Sequence, residues 1–196
     1  DGWLLIQPDS TEVVVNIEGN KDTREFNNGV QTVTGFTTDV GTKKIDVKLA
    51  SGKKAEAKGT TVGHYTMNLT KSSFVVTSKN YSNIKVNVTD GYLDIPPNTQ
   101  KVTVTITGTQ KAVNYSGKEQ TASGFTTDVG TKPITVALKD GHKAEAKGTN
   151  AGTYNMGLTT GDFSVTSDNY TNIDVVVKDG YLKINPAGTL TVTIKG

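Results

Sequence analysis

The chain repeats itself with a period of 89 residues, and this repeat constrains the fold more than any other feature. The pattern "DGWLLIQPDS" at Asp1 returns as "DGYLDIPPNT" at Asp90 and as "DGYLKINPAG" at Asp179. A shift of 89 positions aligns residues 13–97 with residues 102–186 without a gap, and 47 of the 85 aligned pairs are identical. Self-similarity at a fixed period of this length indicates tandem copies of one small folding unit.

The phase of the repeat predicts four segments. In both full copies the DG pattern closes the unit, so residues 1–10 are expected to be the closing strand of a preceding repeat. Residues 11–97 and 98–188 are predicted to be β-repeats 1 and 2, and residues 189–196 a terminal strand that matches the start of a third repeat. A unit of this size buries roughly 60% of its unfolded surface, so we expect a modest core.

Strand signals dominate both copies. Apolar residues alternate with other residues in "VTVTI" from Val102, "ITVAL" from Ile134 and "IDVVV" from Ile173, which is the period of a β-strand. Glycine and aspartate turn signals separate such runs, and no segment has a helical period. We predict an all-β fold of two tandem homologous small β-domains arranged end to end, each with roughly six to eight strands. An immunoglobulin-like sandwich and a β-grasp-like sheet both remain open, and the missing helical period favours the former.

One turn signal predicts a specific pairing of strands. In "KVNVTDGYLDI" the DG dipeptide at Asp90 separates two alternating runs, which is the pattern of a tight β-hairpin. We therefore expect a closing hairpin in which Val86 and Val88 lie on one strand, and Leu93 and Ile95 on the other.

Composition argues against several classes of function. The net charge of +2 is small and scattered, so no nucleic-acid partner is expected. The chain has no cysteine, which excludes disulfides, cysteine metal sites and a thiol nucleophile. No stretch approaches the roughly 18 apolar residues of a membrane-spanning helix, so no membrane insertion is expected within this segment. No phosphate loop or zinc spacing occurs, and no cofactor or metal is predicted.

A comparison of the two copies separates a predicted core from a variable surface. Apolar and aromatic pairs at strand-like spacing are kept, and these are Ile45/Ile134, Leu49/Leu138, Tyr65/Tyr154, Met67/Met156, Phe74/Phe163 and Tyr81/Tyr170. Other positions reverse the sign of their charge, and these are Lys79/Asp168, Lys85/Asp174 and Asp94/Lys183. A shared binding face that depended on the reversed charges would not survive in both copies.

The polar block "GFTTDVGTK", at residues 35–43 and again 89 positions later, supports two hypotheses. In the first it is a turn in which Asp39 and Asp128 accept hydrogen bonds from backbone amides two residues on, while Gly41 and Gly130 adopt the turn conformation. In the second, carboxylate and hydroxyl groups hold a cation or a sugar hydroxyl. Calcium takes six to eight oxygen ligands and usually several acids, so one carboxylate per loop favours the turn.

A second polar block, "KAEAKGT", also occurs in both copies. Alternation places Lys54, Glu56 and Lys58 on one face of a strand, which predicts a solvated edge strand with cross-strand charge partners. The alternative is a covalent bond between Lys58 and an asparagine such as Asn80, assisted by Glu56, or between their counterparts Lys147, Asn169 and Glu145. Such a crosslink needs a buried lysine, and lysine is rarely buried unless it is paired.

No catalytic residue emerges from the sequence, and we expect that the chain is not an enzyme. His64 and His142 occupy non-equivalent positions in the two copies, so neither belongs to a duplicated site. Trp3, Tyr92 and Tyr181 share one position of the repeat and could stack on sugars. Their alternation with leucine and isoleucine favours partial burial, or a contact between repeats, over a sugar platform.

The order of motifs resembles a known family. "NYSGKEQTASGF" from Asn114, "NAGTYNMGL" from Asn150 and "DNYTNIDVVVKDGYLKI" from Asp168 are similar to the MBG/YDG-type repeats of bacterial cell-surface proteins and adhesins. The first copy departs from the pattern, since Phe26 replaces the tyrosine at Tyr115 and "TVGHY" replaces "AGTY". The resemblance implies an extracellular β-domain that forms arrays on the envelope of a bacterium, Gram-positive in our expectation, with no shared catalytic residues.

We therefore expect a non-enzymatic repeat module, secreted or on the bacterial surface, that acts as a stalk, spacer or adhesion segment. Short connectors with proline, such as "PPNTQ" from Pro96, predict a semi-rigid array. The alternatives are a carbohydrate- or mucin-binding module and the accessory repeats of a secreted carbohydrate-active enzyme. Host glycans, mucin or other surface proteins are the expected partners, and we expect a monomer.

Overall fold

The chain folds into strands from end to end of each repeat. The structure, a computed structural model, describes residues 1–196 and divides into two units, Asp1–Pro97 and Asn98–Gly196. Twenty strands and two single-turn 3-10 helices make up its regular structure, which confirms the all-β prediction.

The strands of the first unit are β1 (Val13–Gly19), β2 (Lys21–Thr23), β3 (Gln31–Thr34), β4 (Phe36–Thr38), β5 (Ile45–Leu49), β6 (Glu56–Gly59), β7 (Gly63–Thr66), β8 (Phe74–Ser78), β9 (Ile84–Thr89) and β10 (Tyr92–Ile95), with a 3-10 turn at Lys71–Ser73. Those of the second are β11 (Val102–Gly108), β12 (Gln110–Asn114), β13 (Gln120–Ser123), β14 (Phe125–Thr127), β15 (Thr135–Leu138), β16 (Glu145–Gly148), β17 (Gly152–Asn155), β18 (Phe163–Thr166), β19 (Ile173–Lys178) and β20 (Tyr181–Asn185), with a 3-10 turn at Thr160–Asp162.

Each unit distributes its strands over four small sheets. In the first unit their orders are β4-β1-β9, β2-β10-β7, β3-β6 and β5-β8, and in the second β14-β11-β19, β12-β20-β17, β13-β16 and β15-β18. Two pairings are parallel, β1 with β9 and β2 with β10, and the counterparts in the second unit are parallel too. The expectation of six to eight strands is wrong because each unit has ten. In the first unit β1 and β2 form one extended segment, and β9 and β10 form another. Each segment is divided where the chain passes from one three-stranded sheet to the other.

The predicted closing hairpin is also wrong. β9 pairs with β1, from Val13 opposite Ile84 onward, whereas β10 pairs with β2 and β7. The DG dipeptide is therefore a step between two sheets. Gly91 is not among the residues with positive φ, which a type I′ hairpin turn requires. The Asp90 carboxylate instead accepts hydrogen bonds from the backbone N–H groups of Asn68 and Leu69, at 2.9 and 2.8 Å.

The core consists of the inward residues of these sheets. The second unit has two buried clusters, one of Val104, Ile106, Ile134, Ala144, Leu158 and Phe163, the other of Ala122, Ala146, Leu182 and Ile184. The matching residues Val15, Ile17, Leu93 and Ile95 of the first unit are at most 1% exposed. The predicted core is confirmed in part, because Ile45, Met67 and Phe74 are buried whereas Leu49, Tyr65 and Tyr81 are only half-buried. Their burial removes apolar surface from water, which is the main source of stability in such a fold.

Candidate functional site

Each unit has an open groove at the same position of the repeat. In the first unit residues 43–46 and 77–80 line a groove of about 680 Å³ at the end of the β5–β8 pair. In the second unit residues 132–135 and 166–169 line a smaller one of about 320 Å³ at the end of the β15–β18 pair. The two grooves are one repeat of 89 residues apart in sequence, so the fold itself produces this concave surface.

A serine holds the two walls of each groove together. In the first unit Ser78 is the register partner of Ile45, and its Oγ donates a hydrogen bond to the carbonyl oxygen of Lys44 at 2.7 Å. The same Oγ accepts a hydrogen bond from the backbone N–H of Asn80 at 3.0 Å. In the second unit Ser167 Oγ repeats both bonds, to the carbonyl oxygen of Pro133 at 2.8 Å and from the N–H of Asn169 at 3.0 Å. The backbone frame of the groove is therefore the same in both units.

The side chains on this frame differ between the units. Lys43, Lys44 and Lys79 line the first groove, and all three are exposed. Lys132 is kept in the second groove, but proline and aspartate replace the other two lysines at positions 133 and 168. The first groove presents ammonium, hydroxyl and amide groups, which bind anions and hydroxyl-rich ligands. The reversal from Lys79 to Asp168 noted in the sequence therefore lies in the groove, and it gives the two grooves different charges on a similar backbone frame.

Hydrogen bonds of Asp39 join the turn of the first unit to β1, and those of Asp128 join the turn of the second unit to β11. Both oxygens of the Asp39 carboxylate accept hydrogen bonds from Asn16, from its backbone N–H at 2.8 Å and its side-chain amide at 2.6 Å. Asp128 accepts the backbone N–H of Thr105 at 2.7 Å. The expected partners two residues on are therefore wrong, because the turn folds back against β1, 23 residues earlier in the chain. The turn conformation itself is confirmed, with φ of +54° at Gly41 and +57° at Gly130.

These bonds also set the acidity of the two carboxyl groups. The backbone N–H of Asn16 holds the pKa of Asp39 below its usual value, followed in effect by the side chain of Asn16, and the N–H of Thr105 does the same for Asp128. No group of three or more histidine, cysteine, aspartate and glutamate side chains with the geometry of a metal site occurs in the structure. The Asp39 carboxylate is thus engaged with its own unit, which disfavours the cation or sugar hypothesis for this turn.

The second polar block forms β6 as alternation predicts. Ala55 and Ala57 are buried, whereas Glu56 and Lys58 are exposed. The expected cross-strand charge partners are wrong, since threonines of β3 lie opposite both charged residues. In the second unit Lys147 instead pairs with Glu145 on its own strand, at 3.2 Å between Nζ and Oε1, and its side chain is 49% exposed. That exposed lysine lacks the buried setting that a covalent bond to asparagine requires.

The aromatic side chains are mostly engaged within their own unit. Tyr92 is half-buried, as expected, and its ring centroid lies 5.0 Å from that of His64. The ring of Tyr65 packs on Gly59, and its hydroxyl donates to the carbonyl oxygen of Thr61 at 2.9 Å. Partial burial of these tyrosines counts against an aromatic sugar platform. Trp3, at the equivalent position of the first segment, is 83% exposed, so the expected partial burial is wrong for this residue.

The two histidines form unrelated surface pairs. His64 Nδ1 lies 2.5 Å from Asp94, and His142 Nδ1 lies 2.6 Å from Asp162. The hydrogen bond from the backbone N–H of Thr159 lowers the pKa of Asp162 most. The hydrogen bonds with the Thr159 side chain and with His142 lower it further. Each histidine is hydrogen-bonded to an aspartate and not to a hydroxyl nucleophile, and the pairs lie at different positions of the repeat.

A search for related proteins returned nothing that assigns the chain to a family. No protein-family model matches the sequence, and no curated protein matches it. None of the helices in the structure has the length and apolar character needed to cross a bilayer.

Proposed function

We propose that the chain is a non-enzymatic segment of an extracellular bacterial surface protein, in which each unit acts as a load-bearing stalk or adhesion module. The observation that carries this proposal is that the first two strands of each unit pair in parallel with its last two strands. The motif resemblance to repeats of surface proteins supports the setting. The geometry supports the mechanical role.

Tension along a tandem array reaches a unit at the start of β1 and leaves it at the end of β10. β1 pairs with β9 in six register pairs, and β2 continues the same alignment with β10 in three more. Because both pairings are parallel, opposite pulls at these two ends act along the strands and not across them. All hydrogen bonds of the two ladders then carry the load together, whereas a ladder pulled apart from one end breaks bond by bond.

The connector between the units supports the same role. The carbonyl oxygen of Pro96 accepts a hydrogen bond from the N–H of Phe26 in the first unit, at 2.9 Å. Asn98 donates its N–H to the carbonyl oxygen of Asn169 in the second unit, at 2.9 Å, and accepts the N–H of Thr171 at 3.1 Å. Only Pro97 lies between these anchored residues, and its ring restricts φ. A connector this short transmits force from one unit to the next with little slack.

Single-molecule force spectroscopy tests the proposal. The chain has no cysteine, so cysteines introduced in pairs define where force is applied. Pulling between the two termini should unfold the units in two discrete steps at high force. Pulling between Lys44→Cys and Lys79→Cys, at the open end of the β5–β8 pair, should open that pair at clearly lower force because its bonds break in sequence. Equal forces in the two geometries would overturn the load-bearing role.

A carbohydrate-binding module is the second candidate function, and the basic groove of the first unit favours it. The two roles are compatible, since a load-bearing unit can carry a ligand site on its surface.

A further inference from the structure

We propose that the groove of the first unit binds an anionic polysaccharide through Lys43, Lys44 and Lys79, and that the groove of the second unit does not. The inference deepens the surface-protein function proposed above, and rests on it for the class of ligand. The shared chemistry is a carboxylated or sulfated sugar polymer.

The three lysines have no anionic partner within ion-pair distance in the structure. None of them takes part in an ion pair. The one acid among the lining residues, Asp46, is paired with Lys48 at 2.7 Å. Lys43 acts weakly on Asp39, whose carboxylate is already engaged by Asn16. Several like charges around one concave surface attract an anion more strongly than any of them alone.

The shape of the groove favours a polymer over a small ion. Two of the lysines precede β5 and the third follows β8, so the positive charge lies on both walls of an open groove of about 680 Å³. Thr77 and Asn80, which also line it, supply the hydroxyl and amide groups that hydrogen-bond to sugar hydroxyls. No aromatic residue lines the groove, and base stacking on aromatic rings is what single-stranded nucleic acids use. An acidic glycan fits these groups better than a nucleic acid does.

The second unit supplies a comparison within the same chain. Its groove keeps the serine that joins the walls, but Pro133 and Asp168 replace two of the three lysines. Lys132 alone then faces an aspartate, so the attraction for a polyanion is largely cancelled. The two units therefore share a fold, but only the first unit has the proposed ligand site.

Isothermal titration of the whole chain tests the inference. The probes are a hyaluronan oligosaccharide, which carries carboxylates, a chondroitin sulfate oligosaccharide, neutral maltohexaose and a single-stranded DNA oligonucleotide. Measurements at about 20 mM and about 150 mM salt separate screened electrostatic binding from the rest. We expect binding of one or both acidic glycans at low salt, weakening as salt rises, and the two acidic probes distinguish carboxylate from sulfate as the favoured group.

Two substitutions that make the same change of charge locate the site. Lys79→Asp places in the first unit the residue that the second unit carries, and should weaken binding by about fivefold or more, since it removes an attraction and adds a repulsion. Lys53→Asp, in the turn at the other end of β5, makes the same charge change away from the groove and should weaken binding less than about twofold. Conversely, the pair Pro133→Lys and Asp168→Lys should create a second binding event. Unfolding midpoints of all variants establish that they are folded.

Any of the following results would overturn the inference: no binding of either acidic glycan at low salt, equal binding of maltohexaose, equal losses in Lys79→Asp and Lys53→Asp, or no second binding event in the Pro133→Lys and Asp168→Lys variant. Tighter binding of the DNA would assign the groove to a nucleic acid and overturn it as well. The stalk role is tested separately, because Lys79→Asp leaves both parallel ladders intact and should not change the unfolding force.

Discussion

Gly19 and Gly91 pack backbone against backbone where two neighbouring strands change sheets. A β-carbon on Gly19 would lie 2.6 Å from the Cα atom of Gly91, and one on Gly91 would lie 2.5 Å from the carbonyl oxygen of Asn20. The second unit repeats the contact, since a β-carbon on Gly108 would lie 2.8 Å from the Cα atom of Gly180. Neither strand can bring a side chain to this crossing, so both positions require glycine for space and not for a positive φ.

This contact predicts a severe effect of a single methyl group. Gly91→Ala should lower the free energy of unfolding of the first unit by about 3 kcal/mol, because backbone atoms on both sides must move to make room. Gly29→Ala is the matched control, since its nearest neighbour is a side-chain oxygen of Asn27 at 3.3 Å. Urea unfolding measures both. Similar losses in the two variants would contradict the crossing contact.

The carboxylate of Asp90 stabilises the same region through hydrogen bonds. It accepts the N–H groups of Asn68 and Leu69, so Asp90→Ala should leave two amide donors without their partner and cost about 2 kcal/mol. The control is Asp46→Ala, which removes a surface ion pair to Lys48 and should cost less than about 0.5 kcal/mol. Equal costs by thermal or urea unfolding would rule out a capping role for Asp90.

Carboxylates with lowered pKa values predict a loss of stability in acid. The pKa values of Asp9, Asp39, Asp128 and Asp162 are all lowered in the folded state, chiefly because backbone N–H groups donate hydrogen bonds to the carboxylates. The unfolded chain then binds protons more readily, so this stabilisation is complete above the unfolded pKa and is lost as pH falls through the folded values. We expect urea midpoints to be flat from about pH 7 to pH 5 and to fall below about pH 4.

The double variant Asp39→Asn and Asp128→Asn tests the source of this acid sensitivity. The amides cannot be protonated in this range, so the fall in urea midpoint below about pH 4 should be shallower than in the parent chain. An unchanged slope would mean that other groups cause the loss of stability.

The two units should differ in mechanical strength. The first two strands of the first unit pair in parallel with its last two, as β1–β9 and β2–β10. In the second unit the equivalent of β2–β10 has five register pairs instead of three. Because more bonds carry the load, the second unit should unfold at higher force. A short flexible insertion in the turn after Gly52 would lengthen the first unit and identify its unfolding step. If that longer step came second, the ladder length would not set the strength.

The alternating pattern of the sequence predicted the tandem organisation, the buried faces and most of the strands. The strands expected at residues 1–10 and 189–196 do not form, because neither segment has a partner strand to pair with. Ala55 and Ala57 point inward because a strand has a period of two, and this holds whatever the strand pairs with. The sequence likewise predicted the turns at Gly41 and Gly130, since positive φ favours glycine. The basic groove was missed, although the unpaired lysines that line it are visible in the sequence, because its two walls are 31 or more residues apart.

The sequence by itself thus determined an all-β chain of two homologous units with a definite apolar face on each strand. Only the tertiary structure decided which strands pair, because pairing depends on contacts between residues far apart in the chain. Asp90 and Gly91 illustrate the difference: locally they are a hairpin signal, but the carboxylate is bound by Asn68 and Leu69, and the glycine packs on Gly19. These long-range contacts outweigh the turn preference, send β10 to the second sheet, and so create the parallel ladders on which the proposed function rests.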